Sequence, residues 1–223
     1  MEIKPIAYIE NDFTEKFGIP RQSGICESVG RIVFEKEYRR PEALRGIEGY
    51  SHLWLLWQFS EAVREDWSPT VRPPRLGGNK RMGVFATRSP FRPNPIGLSS
   101  VRLIGLEETE GEGTVLIVSG ADILDGTPIY DIKPYLKFTD SHDDAVGGFA
   151  DGVREYEIEV DFPEALLAEL DESDRTALIT VLKNDPRPAY KDDGEREYGM
   201  KYGRYEVFFK VTSGVLTVTR VKA

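Results

Sequence analysis

Arg88 and Arg92 stand in the run Met82–Ser99, which carries three prolines in six residues, Pro90, Pro93 and Pro95. Proline fixes φ and removes a backbone donor, so the run is neither a helix nor a central strand. It reads as a stiff loop between strand-like Gly83–Thr87 and strand-like Ile96–Ile104. Such a loop presents guanidinium groups at little ordering cost, which suits a carboxylate, ribose or phosphate. The same residues fit a proline-rich structural turn whose arginines are simply solvated. A second group, Ser119–Tyr135, packs Asp122, Asp125, Asp131, Lys133, Tyr130 and Tyr135 into a loop–strand–loop. A carboxylate beside a basic loop can orient ribose hydroxyls or accept a proton. Alternatively Asp122 and Asp125 cap turns, and Asp131 pairs with Lys133. A third group, Asp185-Pro186-Arg187-Pro188-Ala189-Tyr190-Lys191, repeats the logic of the first. Arg187, Tyr190 and Lys191 suit phosphate and base contacts, or else form a helix-ending loop packed on neighbouring strands.

Other chemistry is excluded. Two histidines and one cysteine cannot build a Cys/His zinc site, and no metal site is expected. The chain has no Gly-x-x-x-x-Gly-Lys-Ser/Thr element, no strand–Gly-x-Gly-x-x-Gly–helix unit and no Gly-x-Ser-x-Gly elbow. Any cofactor site must therefore be made from loops on a sheet. Cys26 reads as a packing residue, and His52, Trp54 and Trp57 as core residues of the apolar run Tyr50–Phe59.

Positioning these groups falls to short strands. Ile3–Glu10, Ser28–Phe34, Tyr50–Phe59, Ile96–Glu107, Thr114–Ser119 and Pro128–Ile132 read as strands, with Pro41–Gly46 as one helical turn. No long helix separates them, so a parallel sheet is disfavoured. The expected class is mainly β: an antiparallel, barrel-like, non-Rossmann catalytic domain over residues 1–140, followed by a small α+β domain over 150–223. Thr139–Gly152 reads as the linker. Beyond it come a strand at Glu155–Val160, helices at Pro163–Leu170 and Asp174–Lys183 (Ser173 as N-cap), and a hairpin, Arg204–Val211 with Val215–Val221.

Charge is unevenly spread. The chain of 223 residues carries a net −9, yet Arg64–Arg102 holds eight bases and two acids, a local +6. Asp140–Asp174 holds thirteen acids and one base. Potential near a cleft follows local charge over a Debye length of about 8–10 Å, so an acidic protein with a basic face still binds a polyanion. The longest apolar stretch, Leu53–Phe59, is too short to span a bilayer, and the N-terminus lacks a signal-peptide pattern. A soluble cytoplasmic protein is the expectation.

Taken together, Pro20–Gly24, Gly49–Trp54, Val71–Gly78, Arg88–Gly97, Asp125–Tyr135 and Asp185–Tyr190 resemble the TrmO family of tRNA methyltransferases, built on a TsaA-like domain. The likeness runs from about Ile3 to Tyr205. It implies S-adenosylmethionine as methyl donor and N6-methylation of threonylcarbamoyladenosine beside the anticodon of threonine tRNA. It also implies a homodimer. By matching motif it implies cofactor contacts from Ser23, Gly24, Ile25, Arg88, Leu98 and the loop Ser119, Gly120, Ala121, Asp122. Where family members often have His-Gln near the cofactor, this chain has Ser60-Glu61; by position they are expected at the cofactor, with Glu61 accepting a hydrogen bond from a ribose hydroxyl or the donor's amino group. Within this reading Asp122 or Asp125 takes the proton or orients the donor. Arg92 or Arg72 binds the threonyl carboxylate. Arg75, Lys133, Arg187 and Tyr190 join in holding the anticodon stem-loop. The alternatives are a non-catalytic RNA-binding module and a methyltransferase of this fold acting on another nucleobase or a small metabolite.

Overall fold

The alternation of His52-Leu53-Trp54-Leu55-Leu56-Trp57-Gln58 sets the architecture. Leu53, Leu55 and Trp57 are buried, and the residues between them face outward, as a half-buried strand requires. The computed structural model describes residues 2–76, 80–153, 156–187 and 196–223. Its first unit uses β1 (Ala7–Asn11), β2 (Val29–Phe34), β3 (His52–Gln58), β4 (Thr70–Val71), β5 (Met82–Gly83), β6 (Ile96–Thr109), β7 (Gly113–Ser119) and β8 (Pro128–Pro134). Six of these close into an antiparallel barrel, in the order β1-β2-β7-β6-β3-β8. Closure leaves no free edge to the sheet. Its interior holds Ala7, Ile9, Ile32, Leu53, Leu55, Val101, Leu116, Val118 and Ile129. Each large side chain buried there contributes roughly 1.5–3 kcal/mol relative to exposure. β4 and β5 form a separate two-stranded ribbon within the basic segment.

After α1 (Lys137–Asp140) come β9 (Glu159–Asp161), α2 (Glu164–Leu167), α3 (Glu172–Lys183), β10 (Tyr198–Tyr202), β11 (Tyr205–Thr212) and β12 (Val215–Lys222). The sheet order is β10-β11-β12-β9, with β9 parallel to β12. Ser213 (φ 52°) and Gly214 (φ 81°) make the two-residue turn between paired Thr212 and Val215, as a tight twisted hairpin demands. α3 buries Ala177, Leu178, Val181 and Leu182 in a second core with Met200, Tyr202, Tyr205, Val207 and Phe209. The segment 12–26, which joins β1 to β2, belongs to this second core. Phe13 and Cys26 are buried in it and Phe17 and Ile19 pack against it. The cysteine thus has the expected packing role, with its thiol pushed up by burial.

Several local expectations are corrected. The first strand begins at Ala7, because Pro5 cannot donate to a ladder. Val84–Ala86 is a 3-10 turn and not strand, held by the Thr87 hydroxyl donating to the Val84 carbonyl at 2.9 Å. Asp171, and not Ser173, occupies the N-cap of α3 with extended backbone. Part of the expected linker is ordered as α1 and a 3-10 helix at Gly148–Val153. His52 is exposed, its ring nitrogen bonded to the Ser51 hydroxyl at 2.9 Å. Trp54 is half-buried and donates to Asp140 at 2.8 Å. Trp57 is a core residue as expected.

Candidate active site

Two glycine-bearing loops meet at the mouth of the barrel. Gly24 N–H donates to the Gly120 carbonyl at 2.8 Å, and Gly120 N–H to the Ser28 carbonyl at 3.2 Å. Both glycines have positive φ, +79° and +86°, and a Cβ on Gly120 would lie 3.3 Å from the Gly24 backbone. Only glycine meets both demands there. Beside this junction runs a chain of side-chain bonds. The Trp57 indole N–H donates to Ser99 Oγ at 2.9 Å, and the Ser99 hydroxyl donates to Asp122 Oδ1. Gly97 faces the indole across the β3–β6 pair. A Cβ on it would sit 2.2–2.6 Å from ring atoms, so glycine is what lets Trp57 lie flat and reach Ser99.

Asp122 carries the perturbed titration. Burial pushes its carboxyl above the usual range, partly offset by the Ser99 hydroxyl, its own backbone N–H, the Arg88 charge and the Ser23 backbone. Ser23 is held by its Oγ accepting the Ser100 N–H at 3.2 Å. Arg88 donates to the Gln22 side-chain carbonyl. The rim is apolar: Ile25 and Leu98 are exposed by 38% and 55%. The site thus joins a desolvated carboxylate, a guanidinium, hydroxyls and two uncovered apolar side chains.

Comparison with known proteins decides the lineage. The tRNA-methyltransferase O N-terminal domain matches residues 8–141 and the TrmO C-terminal domain matches 155–223. The chain belongs to the tRNA-methyltransferase O family. An Escherichia coli relative named tRNA (adenine(37)-N6)-methyltransferase is 41% identical over 222 residues, covering 95% of this chain and 93% of that one. A Pseudomonas aeruginosa relative, 42% identical over 89% of this chain and 87% of its own, is named as a candidate S-adenosylmethionine-dependent methyltransferase. A crystal structure of TrmO from Pseudomonas aeruginosa matches with TM-score 0.78 at 33% identity, covering 100% of this chain and 99% of that one.

In this chain the structure gathers Ser23, Gly24, Ile25, Arg88, Leu98, Gly120 and Asp122 into one neighbourhood, with Ser119 and Ala121 buried behind it. Glu61 stands on the 3-10 turn Ser60–Ala62 that follows β3, and its carboxylate pairs with Lys16 at 3.0 Å. Ser60 is exposed beside it. Arg92 is half-buried and donates to the Thr87 carbonyl at 3.3 Å, and Arg72 is exposed after β4. Arg75 lies in the 3-10 turn Pro74–Leu76. Lys133 lies on β8 opposite Trp54 and pairs with Asp131 at 2.7 Å.

Two of the expected residues are placed elsewhere. Asp125 is not in the cluster. Its Oδ1 accepts the Asn11 N–H at 2.9 Å, and it sits near Asp12, whose carboxyl is raised by burial, Asp174 and then Asp125. It closes the β1 end of a turn, because Gly126 lets the chain reverse there (φ +71°). Arg187 is not a surface cation. It is 8% exposed and forks onto Asp185, Nε to Oδ1 at 2.9 Å and an Nη to Oδ2 at 3.0 Å. Tyr190 lies outside the described residues.

Sequence reasoning missed Ser99, Ser100 and Gln22, and took Trp57 as core alone. The available signal was Gly97 inside a strand, which marks a close approach. Among the described residues no group of three or more His, Cys, Asp or Glu is placed to hold a metal ion. No helix of the described chain is long and apolar enough to cross a membrane.

Proposed function

We propose that this chain transfers a methyl group from S-adenosylmethionine to N6 of threonylcarbamoyladenosine beside the anticodon of threonine tRNA, in the cytoplasm. The convergence of the Ser23–Ile25 loop, the Ser119–Asp122 loop and the Trp57–Ser99–Asp122 bond chain carries this reading. The residues suit the donor: Ile25 and Leu98 offer apolar faces to a purine or a thioether chain, Ser23 offers a hydroxyl, and Asp122 a carboxylate for a cation or a ribose. Ser60 and Glu61, on the turn that follows β3, stand where the family motif puts further cofactor contacts.

S-adenosylmethionine supplies the methyl group already activated as a sulfonium. What remains for the chain is alignment and proton management. The urea-like N6–H is a weak nucleophile; as the N–C bond forms, the donor's S–CH3 bond breaks and its sulfur leaves as a neutral thioether, while Asp122 would accept the N6 proton. A carboxyl raised by burial is the better base for this at neutral pH, since its conjugate acid is nearer the working range. Arg92 takes the threonyl carboxylate, and Arg72, Arg75, Arg88 and Lys133 contribute to the field that holds the RNA backbone. The C-terminal unit, residues 150–223, buttresses the segment 12–26 and flanks the RNA, while residues 1–140 carry the chemistry.

A homodimer belongs to the same reading. Val29 and Ile104 are large apolar residues more than half exposed on the outer wall of the barrel, on β2 and β6. The deciding experiment is methyl transfer from labelled S-adenosylmethionine to threonine tRNA with and without the threonylcarbamoyl group. Incorporation only into the modified tRNA supports the proposal. Equal incorporation into both, or none, refutes it.

A further inference from the structure

Outside the cofactor neighbourhood, the basic segment displays aromatic rings to solvent. Trp67 and Phe85 are 51% and 73% exposed. Their rings face each other at 6.1 Å between centroids with 34° between planes. The antiparallel β4–β5 pair and the Val84 N–H bonded to the Pro69 carbonyl at 2.9 Å hold the two residues side by side. Nearby in sequence, Phe91 is 39% exposed with the Arg64 guanidinium 3.8 Å above its ring, and Val63 is 58% exposed. No acid occurs from Trp67 through Leu106, while Arg72, Arg75, Lys80, Arg81, Arg88, Arg92 and Arg102 do. Among the described residues, Arg72, Lys80, Arg81, Arg88 and Arg92 form no ion pair. In a chain of net −9 this is a concentrated, uncompensated positive field around uncovered flat rings.

We infer that Trp67 and Phe85 form a platform on which unpaired bases of a single-stranded RNA loop stack, with the surrounding arginines on the phosphates. The inference rests on the reading of this chain as an RNA methyltransferase and names the form of RNA that its basic arm accepts. The two features demand different things of a partner. The cations want a polyanion, and the rings want flat apolar faces. A base-paired helix offers the first and hides the second, whereas an open loop offers both. Arg88, three residues beyond Phe85 in the chain, donates to Gln22 beside Ser23, so one short segment joins the platform to the cofactor neighbourhood.

Trp67 also provides the readout, because Trp57 is buried and Trp54 is half-buried on Asp140. The test titrates an RNA hairpin with an unpaired loop, and a fully paired duplex of equal length, into the full-length protein. Fluorescence is followed together with anisotropy of the labelled RNA. The expected result is quenching by the hairpin and little by the duplex. Trp67→Phe should keep binding but lose the quench. Trp67→Ala and Phe85→Ala should each weaken hairpin binding by about 5- to 150-fold, the span of one lost base stack. Both positions are exposed, so both variants should melt with the wild-type protein. Hairpin binding by the alanine variants equal to wild type overturns the platform and leaves the RNA substrate standing. No RNA binding by the wild type overturns the substrate reading itself. Alanine variants that change the mass by light scattering while binding RNA normally show a contact between copies of this chain, and overturn the platform too.

Discussion

Two proline-braced arginine corners look alike in the sequence and end in opposite environments. In Arg88–Pro95 the arginines remain toward solvent and the cofactor neighbourhood. In Asp185–Arg187 the arginine is buried and forked onto its own neighbour. The difference lies in one nearby carboxylate. Asp185 stands two residues before Arg187 and adopts φ 47°, which turns its side chain back onto the guanidinium. Arg21 then donates to the Asp185 and Arg187 carbonyls at 3.0 and 3.1 Å, tying this corner to the loop that carries Ser23. The first corner has no acid anywhere from residue 67 to 106. Stiffness is common to both, and the local carboxylate decides whether an arginine becomes structure or is left for a ligand.

The most disruptive way to break this comparison is to remove Asp185. Asp185→Ala leaves a buried guanidinium unpaired and should lower stability by about 3–5 kcal/mol. Arg92→Ala, in the other corner, should stay within about 0.5 kcal/mol of wild type. Urea unfolding of both variants checks this, and equal losses would erase the distinction.

The activity of Arg92→Ala sharpens it from the other side. Loss of a charged hydrogen bond of about 1.5–3 kcal/mol to the substrate carboxylate predicts a fall of about 10- to 150-fold in kcat/KM with the fold intact. Steady-state methyl transfer measures it, and unchanged turnover removes Arg92 from the site.

Ser99→Ala is the milder probe of the bond chain. It strands the Trp57 N–H and should cost about 1–3 kcal/mol of stability. The Ser99 bond favours ionised Asp122, so its loss raises that carboxyl further and moves the acid limb of the pH–rate profile to higher pH. A limb that stays put would detach Asp122 from the proton transfer.

The smallest effect is the pH dependence of stability. Burial raises Asp185, but the Arg187 bond and charge outweigh it and hold the carboxyl below the usual range. Its contribution is therefore present above the unfolded value of about 3.9 and is lost as pH falls through the lower folded value. Asp122 has the opposite sign. Its folded value is raised, so it costs stability as pH rises from about 3.9 through that value. Asp185→Asn should flatten the acid fall in melting temperature, and Asp122→Asn should melt no lower than wild type at neutral pH.

Much of the barrel was legible because its strands are short apolar runs bounded by polar or Gly/Pro segments, as in β3 and β7, and the C-terminal hairpin was legible because its Ser213-Gly214 turn announces itself. β10 went unread, although Tyr198, Met200 and Tyr202 alternate, because Gly199 breaks the apolar run and the strand is short. The loops around Ser23, Arg88 and Asp122 were legible through family motifs. The contacts that give Asp122 its character were not, since Trp57, Ser99 and Asp122 meet only through pairing and closure of distant strands. The fate of Arg187 was also hidden. Sequence shows a carboxylate two residues away but not the positive φ that closes the fork.

Asp122 and Asp125 offer the most direct trial of the site, because they are three residues apart and chemically identical. Single-turnover methyl transfer to threonylcarbamoyl-modified threonine tRNA should fall by about 10²- to 10⁴-fold in Asp122→Asn, the usual loss for an acid–base group, and stay near wild type in Asp125→Asn. A fast Asp122→Asn enzyme, or a dead Asp125→Asn enzyme that still folds, would contradict the placement of the chemistry at the Trp57–Ser99–Asp122 chain.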